Sequence, residues 1–179
     1  MITIKLAGLD DINTIHTLAH RIWRIVYKEI ITAEQMDYML EMMYSHESLQ
    51  YQIEKQKHNF IIAYDDDIPV GFAAYFPKYE IAPTIYRLDK LYVLPDQHGK
   101  GIGKQLIDHI IAEIQPLGCS LLELTVNRKN NAVSFYEKLG FTIVSEIDHP
   151  IGEGYFMNDY VMQKPLTEIT PQQTPFLLL

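Results

Sequence analysis

The chain has 179 residues and a formal charge of −8, with 47% of its residues apolar and 21% charged. That length suits one domain with a real core better than two, and the apolar share excludes a largely disordered chain. The acidic balance weighs against a broad nucleic-acid surface, which needs a basic face. A lone cysteine, Cys119, rules out an internal disulfide and a multi-cysteine metal site. It precedes the apolar run Leu121, Leu122, Leu124 and reads as a buried structural thiol.

The first residues, Met1-Ile2-Thr3-Ile4-Lys5-Leu6, lack the basic stretch and apolar core of a secretory signal. No window is long and apolar enough to span a bilayer. A cytoplasmic location, with no membrane and no nucleic-acid partner, is the expectation. Ile2, Ile4 and Leu6 alternate as a first strand. Asp10 is expected to cap a helix whose apolar positions Ile12, Ile15, Ala19, Ile22 and Val26 recur at three and four. A second helix should start near Thr32, and a third should pass through Leu49 and Ile53. Residues 59–64 and 70–76 read as a hairpin around Asp65-Asp66-Asp67. That acidic triplet lacks the ligand spacing of a calcium loop and reads as a solvated turn.

Residues 85–94 form a further strand stopped by Pro95. Ile102, Leu106, Ile110 and Ile114 then mark a helix ended by Pro116. Leu122, Leu124 and Val126 give a strand, residues 130–139 a short helix closed by Gly140, and residues 141–144 and 155–162 the last strands. The pattern is α/β (α+β): seven strands in a mixed sheet with helices on its faces. His16 and His20 stand four apart, without a Glu between them or an evident third ligand, and read as exposed histidines rather than a metal pair. The tail, residues 165–179, holds three prolines and ends Phe176-Leu177-Leu178-Leu179, an apolar end that could dock on the domain or on a second chain.

The most informative segment is Leu91-Tyr92-Val93-Leu94-Pro95-Asp96-Gln97-His98-Gly99-Lys100-Gly101-Ile102-Gly103-Lys104. A strand enters a glycine-rich turn that opens a helix. Glycines let several N–H groups converge, and the helix N-terminus adds free donors and a positive dipole end. The result suits a phosphate or pyrophosphate. Glycines at alternate positions match neither the P-loop nor the dinucleotide fingerprint. Lys100 and Lys104 add local positive charge.

His98-Gly99-Lys100-Gly101-Ile102-Gly103, after Leu91-Tyr92-Val93-Leu94-Pro95, resembles the acetyl-CoA loop of the GCN5-related N-acetyltransferase (GNAT) family. The family's loop runs Gln/Arg-x-x-Gly-x-Gly/Ala, so His98 departs from it, and Gln97 stands one residue earlier. Asn127-Arg128-Lys129-Asn130-Asn131-Ala132 followed by Phe135-Tyr136-Glu137-Lys138-Leu139-Gly140-Phe141 is similar to the family's second block. The resemblance covers residues 1–164, with the Gly71 hairpin, and leaves 165–179 as a tail. It implies a mostly antiparallel sheet splayed at its centre, of acyl-CoA N-acyltransferase type. It also implies acetyl transfer from acetyl-CoA to a primary amine of a small molecule or peptide by direct attack, with no metal.

The same resemblance assigns roles. The backbone of Leu91, Tyr92 and Val93 would pair with the pantetheine arm, and His98, Gly99, Lys100, Gly101, Ile102, Gly103 and Lys104 would hold the pyrophosphate. Asn127, Asn130, Tyr136 and Lys138 complete the cofactor set. Tyr136 is the expected donor to the leaving sulfur, and Asp89 the expected base, on the strand face of Leu91 and Val93. Tyr92 and His149 are further base candidates, to which the resemblance assigns no role. The acceptor should lie against residues 23–51 and the final strands; in the first of these Tyr27, Glu29, Glu34, Tyr38, Glu41 and Tyr44 suit a cationic amine. The layout resembles polyamine-acetylating members, and a homodimer is compatible with the family. The alternative readings are a non-catalytic acyl-CoA sensor or a nucleotide-binding regulator.

Overall fold

Residues 1–81 and 83–166 are described by a computed structural model. In chain order they form β1 (Ile2–Ala7), α1 (Ile12–Val26), α2 (Ala33–Tyr44), α3 (His46–Glu54), β2 (Asn59–Asp65), β3 (Ile68–Pro77) and β4 (Ile85–Val93). There follow α4 (Ile102–Ile114), β5 (Leu121–Asn127), α5 (Ala132–Lys138), β6 (Thr142–Gly152) and β7 (Tyr155–Pro165). The strands make one sheet, ordered β1-β2-β3-β4-β5-β7-β6. Every neighbouring pair is antiparallel except β4 and β5. The mixed sheet read from the sequence is therefore the one that forms.

The three- and four-residue spacing in α1 buries Ile12, Ile15, Leu18, Ala19, Ile22 and Trp23 along one stripe. The start of α1 differs from expectation. Asp10 lies in a single 3₁₀ turn, and the Asp11 carboxylate instead accepts the Gly8 N–H at 2.8 Å. Thr32 does cap α2, its hydroxyl accepting from the Gln35 N–H at 3.1 Å, and Ser45 caps α3 in the same way at 3.2 Å. His16 and His20 are half-buried rather than exposed. Their rings stack with His46 in a row, 4.0 and 4.5 Å between centroids, and His16 Nδ1 donates to the Tyr44 carbonyl.

The centre of the sheet positions everything else. β4 pairs with β5 only from Ile85 to Leu88, opposite Leu121 to Leu124. Beyond that point β4 stays with β3, Tyr92 opposite Phe72 and Val93 opposite Gly71. β5 stays with β7, and Asn127 lies opposite Asp159. The sheet therefore splits into a V whose arms end at Val93 and Asn127. Gly71 allows this close β3–β4 contact, since a Cβ there would lie 2.8 Å from the Tyr92 carbonyl oxygen.

β6 is longer than the expected 141–144. It is an edge strand whose residues are nearly all exposed, so no apolar alternation marks its second half. At the C-terminal boundary, Leu166 is buried and its N–H bonds the Ser120 carbonyl at 2.9 Å. The folded part thus continues past the expected limit at 164, and the rest of the expected tail, 167–179, lies outside the described residues. Among those residues no helix is long and apolar enough to cross a membrane.

Candidate active site

The turn after β4 is built from backbone. Gly99 and Gly101 have φ of +85° and +73°, which L side chains rarely adopt. Gly101 is the N-cap of α4, and no side chain caps the helix there. A Cβ at either glycine would meet nothing within 4 Å. The turn is thus an uncovered concavity facing free helix donors, which fits a phosphate group. Gly103 matters for packing instead. A Cβ there would lie 3.0 Å from Phe135 Cζ, so the glycine lets α5 approach the first turn of α4.

A cavity of about 1010 Å³ runs from this turn into the V. Of the residues expected to hold the cofactor, Leu91, Tyr92, Val93, His98, Gly99, Gly101, Ile102, Gly103, Asn127, Asn130 and Tyr136 line it. Gln97 does so as well. Lys100, Lys104 and Lys138 do not. Lys100 bonds Gln97 Oε1 at 2.7 Å and lies 3.9 Å from Asp65, and Lys104 pairs with Asp108 along its own helix. Lys138 is exposed on α5. Backbone donors carry the concavity, and the lysines contribute only a screened field around it. His98 turns back, its Nε2 donating to the Val93 carbonyl at 3.0 Å, and so ties the turn to the end of β4.

Two asparagines shape the opposite arm. Asn127 Oδ1 accepts the Lys129 N–H at 3.0 Å, and Asn130 Oδ1 accepts the Ala132 N–H at 2.9 Å. Both fix the strand-to-helix turn while lining the cavity. α5 then presents Tyr136, buried between Phe135 and Phe141. Burial, and secondarily the neighbouring Tyr27, raises the Tyr136 phenol well above its ordinary range. It is therefore a proton donor at neutral pH.

Asp89 lies at the cavity as expected, but in an ion pair. The β3–β4 register passes from Lys90 to Leu88 and skips Asp89, a β-bulge. Asp89 nevertheless lines the cavity with Leu91 and Val93, and its carboxylate pairs with Lys90. Lys90 is buried, donates to Gln52 Oε1 at 2.7 Å, and lies over the Phe60 and Tyr44 rings. Burial would raise the Asp89 carboxyl, but the Lys90 charge and hydrogen bond outweigh it and hold the group below its usual range. A depressed, ion-paired carboxylate is suited to facing a cation and poorly suited to taking a proton. Tyr92 is no base either, since burial drives its phenol far up.

The acceptor-side wall also differs in detail. Tyr27 and Tyr44 are buried yet both line the cavity, whereas the Tyr38 hydroxyl is engaged elsewhere, donating to the Ile151 carbonyl at 2.8 Å. Gln35 bonds the Phe156 carbonyl at 3.1 Å, so α2 is fastened to the β6–β7 hairpin. Of the three glutamates expected there, Glu29 lines the cavity, whereas Glu34 and Glu41 face solvent elsewhere. His149 and Asp159 enter the lining from the hairpin.

Asp159 was not singled out by sequence reasoning. Its side chain is buried, and Oδ1 has no hydrogen-bond partner. Burial raises its carboxyl to about 6, only partly offset by His149, Arg128 and Arg87. The available signal was an acid between Met157 and Val161, in phase with the apolar positions of the last strand. Among the described residues no group of three or more His, Cys, Asp or Glu is arranged to hold a metal ion.

A sheet split between two strands, with a bare anion turn at one arm and a buried phenol at the other, defines an acyl-CoA-dependent transferase. The family model for the GNAT acetyltransferase domain matches residues 27–149, more than half of the chain. A spermidine N(1)-acetyltransferase of Thermoplasma acidophilum is 27% identical over 91% of this chain and 96% of its own length. A peptidyl-lysine N-acetyltransferase, YjaB of Salmonella typhimurium, is 36% identical over 51% of this chain and 55% of its own. The solved structure of the PaiA N-acetyltransferase from Thermoplasma acidophilum, in complex with coenzyme A, superposes with a TM-score of 0.78 at 25% identity. It covers 93% of this chain and 99% of its own. The chain belongs to the GNAT acetyltransferase family, and its activity is acetyl-CoA-dependent N-acetylation of an amine.

Proposed function

We propose that this acetyltransferase acts on a small, flexible polycationic amine of the spermidine type. The observation that carries the reading is the charge of the acceptor side. Three carboxylates, Glu29, Asp89 and Asp159, line the same cavity as the cofactor strand; Lys90 neutralises Asp89, which leaves Glu29 and Asp159 to face a cation. A peptide acceptor needs backbone partners; a polyamine needs separated anions in an otherwise apolar wall, here Trp23, Met39 and Met43. The similarity to a spermidine acetyltransferase over nearly the whole chain supports the same class.

Acetyl-CoA supplies the acyl group as an activated thioester. The protein's own residues supply position and proton handling. The turn at Gly99–Gly103 holds the pyrophosphate, and the free edge of β4 from Leu91 to Val93 aligns the pantetheine arm as an added strand. Attack is direct, by an amine that must first lose a proton. At pH 7 only about one alkylamine in ~10³ is neutral. Tyr136 keeps its proton and gives it to the sulfur as the thiolate leaves.

Release of CoA thiol would be followed with spermidine, spermine, a lysine-containing peptide and a peptide N-terminus as acceptors. Spermidine or spermine should give a kcat/KM at least tenfold above either peptide. A preference for a peptide would overturn the acceptor class. Binding of acetyl-CoA without transfer to any amine would favour a non-catalytic sensor instead.

A further inference from the structure

We infer that Asp159 is the general base of this enzyme, the group that receives the acceptor nitrogen and takes its proton. The inference rests on amine acetylation and does not depend on which amine is the acceptor. Three observations carry it. Asp159 lines the cavity that also holds Tyr136 and the arms of the V. It pairs across the sheet with Asn127, the last residue of the β5 arm, so it stands at the open end of the V, three residues beyond the last β4–β5 pair. Its Oδ1 is buried and has no partner, in a protein where Asp89 and Glu123 both have theirs. A buried carboxylate oxygen without a donor is costly unless something else fills the place. An acceptor N–H fills it.

The charged and titratable neighbours leave that oxygen to the acceptor. Arg87, on β4, is spent on Glu123 and Thr125, each at 3.4 Å. Arg128, after β5, gives its two terminal nitrogens to Glu146 and Asp148 of β6, while its buried Nε has no partner. His149 of β6 and the Tyr27 phenol of the α1 end complete the set. Burial holds the carboxyl at about 6, and His149 with the two guanidiniums lowers it only in part. Such a group is ionised at neutral pH yet basic enough to hold a proton during turnover.

The step balances without a further reactant. The amine nitrogen bonds to the carbonyl carbon, and its acidity rises sharply as it does so. Asp159 takes one N–H proton. The C–S bond then breaks, and the Tyr136 proton passes to sulfur. The products are the N-acetyl amine and CoA thiol; the proton on Asp159 is released or returned to the phenolate.

The test compares Asp159→Asn, Asp159→Glu and Asp89→Asn with the parent, using spermidine and, as a shape-independent acceptor, methylamine at high concentration. Asp159→Asn should lower kcat at least 100-fold with the KM for acetyl-CoA within twofold. It should also remove the rise of kcat/KM through pH 6, and Asp159→Glu should restore part of both. Asp89→Asn should raise the amine KM and keep that rise. The carboxyl resonance of Asp159, followed by ¹³C NMR in the CoA complex, should titrate near 6 and fall when either amine is added. Retained kcat in Asp159→Asn, transfer of the pH 6 rise to Asp89, or an Asp159 resonance indifferent to both amines would each overturn the assignment. Turnover of methylamine without spermidine would sink the acceptor class alone and leave Asp159 to be judged on methylamine.

Discussion

The hydroxyl of Tyr27, at the end of α1, lies 3.2 Å from the hydroxyl of Tyr92 on β4. The contact joins α1 to β4 across the cavity, and both phenols are driven up by burial. Removing one hydroxyl leaves the other short of a buried partner, whereas removing both leaves none. Tyr27→Phe and Tyr92→Phe should each cost about 1–2 kcal/mol, and the double variant less than the two together. Urea denaturation of the four proteins checks this; strict additivity would mean the bond carries no coupling.

Tyr136→Phe should lower kcat by about 10²–10³-fold, the ordinary scale for loss of a general acid. Affinity for CoA should hold, because the ring still packs between Phe135 and Phe141. Burial holds this phenol above its usual range, so the parent should show no alkaline loss of kcat from Tyr136 below about pH 10. Steady-state kinetics against pH, with calorimetry for CoA binding, separates the two effects.

Gly101→Ala isolates the turn. The new methyl meets no atom, but the residue would have to hold φ at +73°. The expected cost is about 1 kcal/mol of stability and at least a tenfold loss of acetyl-CoA affinity, as the methyl stands in the concavity that a phosphate would occupy. An affinity within twofold of the parent would remove the pyrophosphate from this turn.

The pH dependence of stability has two opposing parts. In Asp89, burial is outweighed by Lys90, and in Glu123 it is outweighed by Lys78 and Gln163, so both are depressed in the fold. Their contribution is present above their unfolded values, near pH 4, and is lost as pH falls through the lower folded values. Asp159 runs the other way. Its folded value, about 6, lies above the unfolded one, so stability declines as pH rises from about 4 to 6. Asp159→Asn should abolish that decline and leave the protein at least as stable at pH 7, as thermal melts across pH would show. A large loss of stability would mark Asp159 as a structural residue.

Most of the framework was legible because the buried stripes are periodic. Ile12 to Val26 and Ile102 to Ile114 repeat at helical spacing, and Thr32 announces its own helix. The glycine turn was legible because φ above zero at Gly99 and Gly101 calls for that residue type. Illegible were features that depend on a register. Nothing in Leu88-Asp89-Lys90 signals a bulge or the burial of Lys90 beside the Asp89 carboxylate. β6 is an exposed edge with no apolar period to read. Asp159 left only its phase with Met157 and Val161 in the sequence; its place beside Asn127 depends on the pairing.

The V between β4 and β5 leaves the middle of the sheet without a ladder below Leu88 and Leu124. One half of the protein, β1 to β4, and the other, β5 to β7, are hydrogen-bonded across only four residues of each strand. A pantetheine arm lying along that gap would serve as the absent rung. The reactant would then be a structural member as well as a donor, and each turnover would stiffen the enzyme on loading and loosen it on release.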